Sequence, residues 1–96
     1  MFEPLDPLLH SQLRLAIMSL LMNLEEADFN YIKEKTGATA GNLSVQVNKL
    51  KDANYIKVEK SFKDNYPHTS CSITEKGVDA FESYLNALRS YIKPTD

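Results

Sequence analysis

Apolar residues recur at three- and four-residue steps along most of this 96-residue chain, broken once by a short stretch of strict alternation. Leu13, Ala16, Ile17, Leu20, Leu21 and Leu24 form the stripe of an amphipathic helix, because residues three and four apart share a helix face. Asp6-Pro7 offers an N-cap followed by a proline whose missing N–H is no loss at the first helical position. The first helix is therefore expected over residues 7–24, either unbroken or as a short turn with a fresh start at Ser11. Asp28 caps a second, short helix that buries Phe29 and Ile32, leaves Tyr31 partly exposed, and stops at Gly37, a residue suited to the left-handed C-terminal position. Thr39 opens a third helix over residues 40–53 after a turn of about three residues. Leu43, Val47 and Leu50 line one side of it, and Gly41, Asn42, Ser44, Val45, Asn48, Lys49 and Asp52 the other. Asn54 is its left-handed terminator.

At Ile56 the period changes to two. Residues 56–62 alternate with β-branched and aromatic side chains on the side expected to be buried, which predicts a strand. Residues 63–67 carry turn formers and Pro67, which cannot donate to a central ladder, so a loop is expected there. Residues 68–73 return as a weaker antiparallel strand. Thr74 then caps a long final helix, about 75–93, in which Val78, Phe81, Tyr84, Leu85, Leu88, Tyr91 and Ile92 recur at helical spacing before Pro94 stops it. The expected fold class is mainly α with a small β-hairpin, in the order of a winged helix-turn-helix. One domain spans 1–96, with the helix-turn-helix at about 28–53 and the wing at about 56–73.

Composition narrows the function classes. The single Cys71 excludes an internal disulfide and any multi-cysteine metal centre, and it fits a reducing cytoplasm. The apolar run at 13–24 is interrupted by Arg14, Ser19 and Asn23, so no membrane span and no secretory leader are expected. No oxyanion hole, phosphate-cradling glycine loop or carboxylate pair accompanies His10-Ser11 or His68 and Cys71, so no enzyme, cofactor or metal is expected. The spacing His68-x-x-Cys71 also suits half of a metal or redox sensor, or simple strand filler. The net charge of −2 argues against a nucleic-acid partner until it is divided by position. Residues 1–29 carry −4, residues 30–76 carry +3 and residues 77–96 carry −1, so the base lies on the third helix and hairpin.

Four ordered blocks carry a family resemblance: residues 5–17 from Leu5-Asp6-Pro7 to Ile17, Asp28-Phe29-Asn30-Tyr31-Ile32-Lys33, Thr39-Ala40-Gly41-Asn42-Leu43-Ser44 continuing through Lys49 to Ile56, and Phe62 through Pro67-His68-Thr69 to Gly77. Through them the chain resembles small stand-alone winged-helix transcriptional regulators related to the MarR and ArsR groups. The resemblance implies a cytoplasmic, sequence-specific regulator that binds double-stranded DNA as a homodimer, with the third helix in the major groove. Thr39, Gly41, Asn42, Ser44, Val45, Asn48 and Lys49 would then meet bases or phosphates, and Lys60, Lys63, Asn65 and His68 would serve from the wing. Leu5, Leu8, Leu9, Tyr84, Leu85, Leu88, Tyr91 and Ile92 would form the dimer interface. Residue types alone fit a merely solvated helix face equally well. The wing departs from its relatives, since Asp64, Asn65 and Tyr66 stand where cations are common, which predicts modest DNA affinity. The rival function is a winged-helix protein-interaction module with little DNA affinity; an effector pocket is compatible with the first reading, with no effector indicated.

Overall fold

The computed structural model describes residues 2–92. Helix α1 runs Gln12–Met22, strand β1 Ala27–Asp28, α2 Phe29–Thr36, α3 Ala40–Asp52, β2 Ile56–Lys63, β3 Tyr66–Ile73 and α4 Glu75–Ile92. Ser11 is the N-cap of α1, its hydroxyl accepting from the Arg14 N–H, so the chain makes a turn over residues 7–9 and a fresh start. Asp28 and Thr39 cap α2 and α3 through their side chains, and Gly37 closes α2 in the left-handed region at φ 72°. Thr74 accepts the Gly77 N–H at 2.9 Å while its hydroxyl donates to the Asn54 carbonyl at 2.7 Å, which ties the start of α4 to the left-handed turn at Asn54. Pro94 and the expected end of α4 at residue 93 lie outside the described residues.

Two features of the sheet correct the expectations. It has three antiparallel strands in the order β1-β3-β2, because Ala27 and Asp28 pair with Cys71 and Ser70. The expected loop at 63–67 is a two-residue turn, Asp64-Asn65, with both residues at positive φ (52° and 67°), the geometry that matches hairpin twist. Pro67 therefore sits inside β3 opposite Phe62. It is tolerated there because β1 ends its pairing at Ser70 and leaves that edge of β3 open.

The core gathers Ile17, Met18 and Leu21 of α1, Ile32 of α2, Leu43, Val47 and Leu50 of α3, Ile56 and Cys71 of the sheet, and Phe81 and Tyr84 of α4. Burial stops at the base of the hairpin: every residue from 59 to 67 is exposed, and Phe62, expected on a buried side, is 78% exposed. Alternation named its face correctly, but no other element lies beneath that part of the ribbon. The N-terminal arm, residues 2–10, lies along α4. Phe2 stacks on Tyr91 with ring centroids 4.8 Å apart, the Glu3 N–H donates to Ser90, and Tyr91 donates to the Glu3 carbonyl. Tyr55 donates to Asp6 at 2.6 Å, and His10 and Tyr84 share a hydrogen bond at 3.1 Å. Leu9 and Tyr84 are consequently enclosed in the chain's own core at 0% and 4% exposure, which takes both away from the surface where a partner was expected. Leu5, Leu8, Leu85 and Leu88 are half-buried, and Tyr91 and Ile92 exposed.

Candidate nucleic-acid interface

Helix α3 turns its apolar stripe inward and leaves a polar crest. With a residue every 100°, Gly41, Val45 and Lys49 run along the crest, Ser44 and Asn48 along one flank and Asn42 and Gln46 along the other. All of these except the half-buried Gln46 are exposed, and Val45, at 51%, puts a bare apolar group at the centre. Thr39 stands at the N-terminus, its hydroxyl oxygen accepting from the Asn42 N–H at 3.2 Å. Apart from its own helix backbone and chain neighbours, nothing lies within 4 Å of a Cβ built on Gly41, so no packing contact requires a glycine there.

The wing meets the Ser44 and Asn48 flank. A concavity of about 240 Å³ is lined by Phe29, Ser44, Val47, Asn48, Val58, Lys60 and Thr69. Strand alternation decides which wing residues face it. Ile56, Val58, Lys60 and Phe62 share one face with their partners Ile73, Cys71, Thr69 and Pro67, whereas Lys57, Glu59, Ser61 and Lys63 share the other with Ser72, Ser70, His68 and Tyr66. The structure therefore brings Lys60 to α3 and turns Lys63 and His68 away. His68 is half-buried beside Asp28, Phe29 and Asn30 in a separate hollow of about 130 Å³, and Asn65 is a turn residue at the tip. Thr69, Phe62 and Pro67 are on the face toward α3 and were missed from sequence. Applying the period-two rule outward from Val58 finds them. The one ion pair among the described residues, Lys57 to Glu59 at 4.0 Å, is on the far face, so Lys60 carries its charge unpaired.

The same alternation separates His68 from Cys71. Three positions apart, they lie on opposite faces of β3 and cannot share an ion, and among the described residues no group of three or more His, Cys, Asp or Glu is placed to hold one. Burial pushes the Cys71 thiol up to about 11. Thiolate, the reactive form, is thereby depleted by roughly two orders of magnitude at neutral pH. Alkylation of the native protein at pH 7.5 is expected to run at least about 50-fold slower than that of the urea-unfolded chain, and equal rates would show that Cys71 is accessible. No described helix is long and apolar enough to cross a membrane.

Against known proteins, residues 13–92 match the family described as winged helix DNA-binding domain. An uncharacterised protein of Methanocaldococcus jannaschii is 38% identical over 76 residues, covering 79% of this chain and 83% of the relative. The structure of a transcriptional regulator homologue from Pyrococcus horikoshii superposes with a TM-score of 0.82 at 29% identity, over 88% of this chain and 84% of that one. Diamide-treated YodB of Bacillus subtilis shares the fold, with a TM-score of 0.79 at 16% identity over 93% and 87% of the two chains.

Proposed function

Because the chain belongs to the winged helix DNA-binding domain family, we propose that it is a cytoplasmic transcriptional regulator that binds double-stranded DNA sequence-specifically as a homodimer, with α3 in the major groove. The observation that carries this reading is the exposed polar crest of α3 flanked by a concavity whose far wall holds the unpaired Lys60. A helix needs a clear crest to enter a groove about 12 Å wide, and that crest here offers amide, hydroxyl, ammonium and methyl groups, the groups that read base edges. Lys49 on the crest and Lys60 on the wing supply phosphate contacts. With Lys63 and His68 turned away from α3, the wing contributes less charge than the sequence suggested.

Binding to a mixed duplex pool at low salt and at ~200 mM tests the proposal. Affinity is expected to fall steeply over that range, and Lys49→Ala is expected to weaken binding on all sequences and to lower the salt slope by about one. Failure of the wild type to bind at low salt would sink the reading and leave the protein-interaction module in its place.

Dimerisation is supported by the apolar groups left at the seam of arm and α4: Phe2, Tyr91 and Ile92 are exposed, and Leu85 and Leu88 are only half covered. This surface is smaller than the sequence implied, since Leu9 and Tyr84 are already enclosed. A two-fold pairing there would set two α3 helices about one DNA turn, roughly 34 Å, apart. Sedimentation is expected to show a wild-type dimer at micromolar concentration and a Leu88→Glu monomer; a monomeric wild type would refute it.

A further inference from the structure

Arg14 of α1 reaches across the interface to α3. Its Nε donates to the Leu8 carbonyl at 2.5 Å and its Nη1 donates to Oε1 of Gln46 at 2.5 Å. Gln46, one turn beyond Asn42 on the same flank, donates its Nε2 to Oδ1 of Asn42 at 3.0 Å. The direction of this chain is set at one end by chemistry. A guanidinium has only donors, so the Gln46 atom facing it is the carbonyl oxygen. That turns the Gln46 amino group toward Asn42, where only the carbonyl oxygen can receive it. With the oxygen directed back at Gln46, the group that Asn42 turns unpartnered to the exposed flank is its Nδ2 amino group.

An unrestrained asparagine pairs with adenine through both atoms, accepting from N6 and donating to N7. In Asn42 the oxygen is turned along the helix toward Gln46, which takes one of its two lone pairs, while the amino group has no partner among the described residues. Resting on the reading of α3 as the recognition helix, we propose that Asn42 acts as a hydrogen-bond donor to a keto base, guanine O6 or thymine O4, and that Arg14 and Gln46 are the positioning residues that set this choice. An arginine on α1, 32 residues from its partner on α3, thereby selects which base the chain reads.

The test is selection of duplexes from a random pool by the full chain, comparing wild type, Asn42→Ala and Gln46→Glu. Asn42→Ala identifies the operator position read by Asn42 as the one whose preference disappears. At that position the wild type is expected to select G or T, whose keto oxygens accept, over C, which offers no major-groove acceptor, with A admitted only through N7. In Gln46→Glu the side chain facing Asn42 has only acceptors, so the Asn42 amide must turn to donate to it and show its oxygen to the DNA. The preference is then expected to pass to A or C, whose exocyclic amino groups donate, with at least a tenfold change in the keto-to-amino ratio. A readout without DNA accompanies it: in the wild type the Gln46 side-chain amide protons are expected to exchange with water several-fold more slowly than those of Asn42.

Selection of C by the wild type, an unchanged preference in Gln46→Glu, or equal exchange of the two amides would each overturn the inference while leaving DNA binding standing. A wild type that shows the protected Gln46 amide yet enriches no sequence would overturn sequence recognition itself, and the inference with it.

Discussion

Replacing Gly77 with alanine is expected to destabilise the protein by about 3 kcal/mol, near the upper end of overpacking penalties. A Cβ on Gly77 would lie 2.1 Å from the Tyr55 carbonyl oxygen and 2.9 Å from Cγ1 of Ile73. The first is backbone that cannot swing aside, because that oxygen also accepts the Thr74 N–H at 3.0 Å. Relief requires α4 to lift off the turn at residues 54–56, which loosens the Thr74 cap and the packing of Phe81 behind it. For a domain of this size the loss corresponds to a fall in Tm of roughly 15 °C. Gly41→Ala is the control. That glycine is also helical but has open space around its Cβ, so alanine should leave Tm unchanged or raise it, by up to about 0.5–1 kcal/mol of added helix propensity. Thermal unfolding of both variants decides the matter; a small shift for Gly77→Ala would mean that the close approach of α4 to Tyr55 is wrong.

The largest functional effect is expected from Ser44→Glu. Ser44 is exposed and lines the concavity between α3 and the wing together with Asn48 and Lys60. A carboxylate there meets DNA phosphate with like charge and competes for Lys60, so affinity should fall at least 100-fold at low salt while Tm stays within a degree or two. Lys63→Glu changes charge by two units on the face of the wing turned away from α3 and should cost only several-fold. Titration of both variants on one duplex separates the two faces. Equal losses would mean that the wing contacts DNA by its tip or its far side.

The positions where sequence and structure agree are those governed by neighbours along the chain. Asp28, Gly37, Thr39 and Thr74 were legible as helix boundaries because a cap acts over three or four residues, and Asn54 because a left-handed residue must end a helix. The elements that were missed depend on distant partners. Strand β1 is two residues long and exists only because Cys71 and Ser70 pair with it. Pro67 argued for a loop until the open edge of β3 was known. Leu9 and Tyr84 looked surplus because nothing local shows that the arm folds back over α4. Of the candidate interface, the crest of α3 was readable from helical period. Phe62, Pro67 and Thr69 were readable in principle by carrying the strand period past Val58, but the hydrogen bond to Gln46 was not, since it comes from Arg14 on another helix.

The docking of the arm also joins the two ends of the described chain. Its hydrogen bonds to α4 join residues 87 and 88 positions apart, against three or four within the helices, and beyond the anchors at Asp6 and Leu9 only a few residues hold that seam closed. Both bonds are exposed and Phe2 is 63% exposed, so the tip of the arm is expected to open before the helices beneath it. Leu8, whose carbonyl holds one end of the Arg14 guanidinium, lies between the anchors at Asp6 and Leu9, so Arg14 keeps both of its partners when the tip of the arm opens.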